Sequence, residues 1–122
     1  MTKLRIFETI RNKFAHPVNP MAVGVDWGQR GFRCKQMLGS PGREWRDFVH
    51  CANKLVTILK GRLEFDVAGT LFDAEEGDEI FIPAGAVLTV RNTAPTATSW
   101  LYGNDGTQGS VGWLQIPDTS AC

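Results

Sequence analysis

Residues Gly77–Asn92 read GDEIFIPAGAVLTVRN. Ile80, Phe81 and Ile82 form a short apolar run. Pro83 and Gly85 then supply a fixed bend and a position free to take positive φ, which marks a tight turn. After it, Leu88 and Val90 alternate with Thr89 and Arg91, the period-two signature of a strand with one buried face. The stretch is therefore expected to be strand, turn, strand.

The flanking chain repeats that pattern. Arg62–Val67 alternates Leu63, Phe65 and Val67 against Arg62, Glu64 and Asp66, and Ala68-Gly69 turns it into a hairpin with Thr70–Phe72. Leu55–Leu59 is an apolar run rich in β-branched residues. Glu44–His50 is expected to set Glu44, Arg46, Phe48 and His50 on one face. Gly31–Leu38 sets Phe32, Cys34, Gln36 and Leu38 on one face, and Val23–Asp26 reads as a further strand before a WGQRG turn. Ser99–Tyr102 is the last core strand. Short strands with turn signals every ten residues or so, and little helix, imply a sandwich or barrel.

The ends differ from this middle. Leu4, Phe7, Ile10 and Phe14 recur at helical spacing, so residues 3–14 are expected to form a short amphipathic helix, with a strand over Leu4–Ile6 as the other choice. HPVNPM (residues 16–21), with two prolines, reads as a loop, and the glycine-rich stretch after residue 103 as a linker. It leads to an apolar cluster, Trp113, Leu114 and Ile116, suited to docking. The expected organisation is an N-terminal arm (1–22), a barrel (23–103) and a tail with a docking strand (104–122).

The chain has 122 residues, enough for one domain with a real core, and its formal net charge is zero. No charge footprint argues for nucleic acid or an anionic membrane. No apolar run approaches the ~20 residues that span a bilayer. Three cysteines without CxxC spacing, and no secretory signal, lead to the expectation of a cytoplasmic protein with reduced thiols.

Two spacings carry a family resemblance. Gly77, Pro83, Gly85 and Asn92 fill the frame G-x5-P-x-G-x2-H-x3-N, with Leu88 at the histidine position. Gly42, His50 and Gly61 fill G-x5-H-x-H-x3,4-E-x6-G, with Phe48 at the first histidine and Lys54 at the glutamate. Over residues 42–102 the chain thus resembles the cupin superfamily. The resemblance implies an all-β double-stranded β-helix, a jelly-roll barrel, here with a short N-terminal arm. Cupins typically hold a divalent ion with three histidines and a glutamate. Those four positions here read Phe48, His50, Lys54 and Leu88, and one imidazole beside an ammonium does not hold a divalent ion against water. No metal and no cofactor are expected.

Cupin motif positions point inward, so the expected ligand-binding residues are Gln36, Arg46, Phe48, His50, Lys54, Val56, Leu88 and Val90, with Cys34 alongside and Trp100 or Tyr102 as further candidates. Two roles stand open for the polar ones. In one, Lys54 and Arg46 pair with a ligand carboxylate, phosphate or enolate, and His50 is the candidate catalytic group, moving a proton. In the other, His50 is a satisfied core histidine, and Lys54 reaches the rim or pairs with Glu44 or Asp47. The favoured function is metal-free binding of a small, anionic organic molecule by a homodimer. The alternatives are a metal-dependent or histidine-based oxygenase, isomerase or decarboxylase, and a structural or regulatory dimer. Nothing in the residues names a substrate.

Overall fold

The computed structural model describes residues 7–106. Two antiparallel sheets face each other as a jelly-roll barrel. One sheet orders its strands β1-β7-β4-β9-β2 and the other β3-β8-β5-β6. The strands are β1 (Glu8–Ile10), β2 (Lys35–Gly39), β3 (Glu44–Phe48), β4 (Lys54–Lys60), β5 (Arg62–Val67), β6 (Thr70–Glu75), β7 (Glu79–Ile82), β8 (Leu88–Arg91) and β9 (Thr98–Asn104). The opening stretch folds as expected, with β7, the turn at residues 83–85, and β8. The turn is pinned by Gly85 N donating to His50 O at 2.9 Å.

Two hydrophobic layers hold the fold. Between the sheets lie Met37, Phe48, Val56, Ile58, Leu63, Phe65, Ile80, Leu88, Val90 and Trp100. Behind the five-stranded sheet lie Leu55, Phe81 and Leu101, covered by Val23 and Trp27. The run LVTIL in β4 is continuous because both of its faces are buried.

Val23 and Trp27 belong to a helix, α1 (Pro20–Gln29), where the sequence reading expects a loop and then a strand. Asn19 caps it, accepting from Met21 N at 2.9 Å. Pro20 stands at its start, where a missing N–H costs nothing. Val23 and Trp27, one turn apart, make its buried stripe. At the other end Gly31 takes φ +87°. Gly31 N donates to Gly28 O and Phe32 N to Trp27 O, the paired bonds of a Schellman stop. Helix-weakening Gly24 and Gly28 hide this element from a propensity reading.

Glu79 bolts α1 to the sheet. Its carboxylate accepts from Trp27 Nε1 at 2.9 Å, from Lys13 at 3.1 Å, and from both terminal nitrogens of Arg30 at 2.9 Å. Burial pushes the Glu79 carboxyl up, but these donors outweigh it and hold it below the usual range.

The helix expected over residues 3–14 is not formed within the described residues; Glu8–Ile10 is strand β1, added to the edge of the sheet beside β7. Phe7 stacks on Phe72 at 4.7 Å, and Phe72 on Phe65 at 5.4 Å, so the arm closes the gap between the two sheets. The docking strand expected near Trp113 lies outside the described residues. Cys34 is a free thiol, whereas Cys51 is disulfide-bonded, which corrects the expectation of reduced thiols at that position. No described helix is long and apolar enough to cross a membrane.

Candidate functional site

Strand pairing decides which side chains meet inside the barrel. Lys54 pairs with Ile82 on one side and Asn104 on the other; Val56 pairs with Ile80 and Tyr102; Tyr102 pairs with Lys35. Directly opposed residues share a face, and Val56, Ile80 and Tyr102 lie in the core between the sheets. Lys54, Asn104 and Lys35 therefore stand on the barrel-facing side at one end. Phe48 and Leu88, paired across β3 and β8, face them from the other sheet.

His50 sits just beyond β3, half-buried, its ring edge-on to Phe48 at 5.4 Å between centroids. Lys54 is 1% exposed, so it does not reach the rim. Its Nζ lies 5.4 Å from the centre of the Tyr102 ring, within range of cation–π attraction. Burial pulls the Lys54 amine down from its ordinary value to about 7. The same burial pushes the Tyr102 hydroxyl up.

Phe48, Val56, Leu88 and Val90 thus lie between the two sheets, with Lys54 on the barrel-facing side of β4 and His50 against Phe48. Arg46, Gln36 and Cys34 do not join them. β3 carries a bulge between Trp45 and Phe48, with Asp47 at φ +47°. One extra residue reverses the alternation. Trp45 turns inward, edge-on to Trp100 at 5.3 Å, and Arg46 turns out, 70% exposed. Glu44 accepts from Arg46 and Arg91 on this outer face, which removes it as a partner for Lys54. Asp47 is likewise turned to Thr89, whose hydroxyl accepts from its backbone N–H at 2.9 Å.

Gln36 pairs with Leu101, an outer-face residue, and is exposed. Phe32 and Cys34 also pack outside the barrel, against the layer that contains Val23 and Trp27. Of the face that the sequence reading groups together, Phe32 and Cys34 are half-buried against that outer layer, while Gln36 and Leu38 are exposed. Lys35, assigned to the opposite face by the sequence reading, takes the place expected for Gln36. Its signal is the same alternation counted from the other side.

Asn92 is structural. Its amide donates to Gly39 O, Ser40 O and Thr96 O, and its carbonyl oxygen accepts from Ala94 N and Thr98 Oγ1. It ties the start of the β2–β3 turn to the β8–β9 loop, far from Lys54.

Of the four positions at which cupins carry metal ligands, His50 alone is one of the family's ligand types. Phe48 and Leu88 are hydrocarbon in the core, and Lys54 is a cation whenever its amine is protonated. This donor set does not fit a divalent ion. Among the described residues, no three or more His, Cys, Asp or Glu are grouped to hold one.

Comparison with known proteins agrees with the geometry of the barrel. Solved structures with this fold include a cupin 2 domain-containing protein from Halorhodospira halophila (16% identity, TM-score 0.66, covering 96% of this chain and 85% of that one). The conserved SPY1581 protein of unknown function from Streptococcus pyogenes matches at 20% identity and TM-score 0.57, over 65% of this chain and 68% of that one. An uncharacterized conserved protein with a double-stranded β-helix domain from Klebsiella pneumoniae matches at 21% and 0.56, over 65% and 67%. At these identities the likeness is one of fold. No curated protein matches the chain. The Cupin domain family matches residues 39–103, which include both motif frames, and the chain belongs to that family.

Proposed function

We propose that the Lys54 end of the barrel binds a small organic anion directly, without a divalent metal. The observation that carries this reading is the placement of Lys54: buried, barrel-facing, and standing where the family frame has a carboxylate. An anion brought against a buried ammonium gains a charge-assisted hydrogen bond, which is strengthened in surroundings of low dielectric. Phe48, Val56 and Leu88 supply apolar walls, and Lys35 adds a second positive charge on the same face. A few polar groups converging on an apolar cavity is the usual form of a small-molecule site.

With Arg46 outside, recognition of the anion falls to Lys54 and Lys35, and His50 remains the candidate proton carrier. A thermal-shift screen of carboxylates and phosphates tests the reading. Stabilisers are expected with the wild type and are lost with Lys54→Met. The absence of any stabilising anion would contradict it. Elemental analysis of the purified protein is expected to show no stoichiometric iron, manganese, nickel or zinc. The chain is also read as a homodimer, and a monomeric mass by light scattering at micromolar concentration would refute that.

A further inference from the structure

We infer that Cys51 is a thiol–disulfide exchange site: its partner is Cys122, and the bond between them clasps residues 107–122 as a strap over the Lys54 end of the barrel, which small-molecule thiols and disulfides open and close. The clasp governs access to that end and holds whether or not an anion binds there.

Cysteine arithmetic names the partner. The chain holds three cysteines, Cys34, Cys51 and Cys122. Cys51 is disulfide-bonded and Cys34 is a free thiol, which leaves Cys122 within one chain. Both tethers of the strap then stand beside Lys54. Cys51 lies on the loop just before β4, and that loop is fixed to the turn at residues 83–85. Gly85 N donates to His50 O at 2.9 Å, and Ala84 N to Asn53 Oδ1 at 2.9 Å. The other tether is the exit from β9, where Asn104 pairs with Lys54. Asn53 N and Nδ2 donate to the two carboxylate oxygens of Asp105 at 3.0 and 2.9 Å, and Asp105 N donates to Asn53 O at 3.2 Å. The chain thus leaves this loop at Gly106 and, through the disulfide, returns to it at Cys51. Trp113, Leu114 and Ile116 fall in the middle of the segment so closed. The mouth offers them exposed Val87 and half-buried Ala86 and His50. Apolar side chains tethered at both ends gain by settling on such a surface. Cys51 itself is exposed, so a solvent thiol reaches its sulfur. Exposed disulfides are the labile ones, which exchange rather than only brace a fold.

The exchange balances with a small-molecule thiol as reductant. Its thiolate attacks Cys51 Sγ, a mixed disulfide forms, the Cys51–Cys122 bond breaks, and Cys122 leaves as a thiolate that takes a proton from water. A second small thiolate attacks the small molecule's sulfur in the mixed disulfide and frees Cys51. Two small thiols are oxidised to one disulfide and the protein disulfide is reduced to two thiols. The reverse sequence closes the clasp.

Two measurements on the full chain test it. Protein equilibrated with oxidised glutathione is alkylated, digested and mapped by mass spectrometry from the monomer band of a non-reducing denaturing gel. The expected result is a peptide pair joined at Cys51 and Cys122, with Cys34 alkylated. Cys51 joined to Cys34 or to a second copy, capped by glutathione, or alkylated would overturn the inference. The strap is read by carbethoxylation with diethyl pyrocarbonate, which compares the chain's two histidines. His50 is expected to react several-fold faster after reduction with dithiothreitol, and equally fast in Cys122→Ser without it. His16, exposed and 2.7 Å from Glu76 O, is the internal reference and is expected to keep its rate. A His50 rate unchanged by reduction and by Cys122→Ser would overturn the strap.

Discussion

Replacing Lys54 with methionine is expected to make the protein more stable at neutral pH, and by an amount that depends on pH. The lysine is buried, and burial pulls its amine down to about 7 from the ordinary 10.5 of a solvated lysine. At pH 7 the unfolded chain therefore binds more protons at this position than the native protein does. Stability must rise with pH wherever that holds. The cost of the buried lysine is fully present below about pH 7 and is relieved as pH climbs towards the unfolded value. A shift of this size corresponds to roughly 4 kcal/mol at neutral pH, at about 1.4 kcal/mol per pH unit across the window. Methionine fills a similar space without the charge.

Urea unfolding of wild type and Lys54→Met at intervals from pH 6.5 to 10 measures this. Taking the difference between the two cancels titrating groups away from Lys54, notably Cys34, which is pushed up by burial. The expected result is a variant more stable by several kcal/mol near pH 7, with the gap closing as pH rises. A gap that does not change with pH, or a variant less stable throughout, would refute the assignment of Lys54 as a buried, readily deprotonated amine.

Other outcomes follow from the same structure. Anion binding should raise the Lys54 pKa, so a carboxylate is expected to bind with proton uptake near pH 8 and with none below about pH 6, which calorimetry in buffers of different ionisation enthalpy reads. Asn92→Ala severs five side-chain hydrogen bonds at a buried position and is expected to cost about 3–5 kcal/mol in denaturant unfolding. Glu79 titrates below its unfolded value, so the stability it contributes is present above the ordinary carboxylate range and is lost as pH falls through its native pKa; Glu79→Gln should flatten that acid limb, followed by tryptophan fluorescence of Trp27. Gly61 stands at φ +105° with Thr98 Oγ1 where a Cβ would be, so Gly61→Ala should destabilise by about 1–3 kcal/mol.

The barrel was legible because its strands alternate cleanly where one face meets solvent. β5 and β8 are of that kind, and the turns at Ala68-Gly69 and Pro83–Gly85 carry the residues that positive φ and fixed φ demand. Legibility failed just ahead of β2. Phe32 and Cys34 pack against the layer that holds Val23 and Trp27, so their apolar character marks the outer face while Lys35 takes the inward place. It failed again at Asp47, because a bulge leaves no trace in composition and breaks the alternation between the residues on its two sides. That single residue put Arg46 outside and Trp45 inside. The helix was hidden by two glycines, although Asn19-Pro20 and Arg30-Gly31 mark its ends once it is looked for. Lys54 and His50 were singled out through the spacing of the glycine frames, which is insensitive to such local reversals, and the structure places Lys54 facing the barrel and His50 against Phe48.

Calorimetric titration of chelator-dialysed protein, with a carboxylate or phosphate selected by the thermal-shift screen, tests the proposed metal-free anion binding most directly. The wild type is expected to bind without added metal, and Lys54→Met to bind roughly 10–100-fold more weakly, the worth of one charged hydrogen bond. Binding that appears only when a divalent metal is restored, or that is equal in the two proteins, would contradict the account.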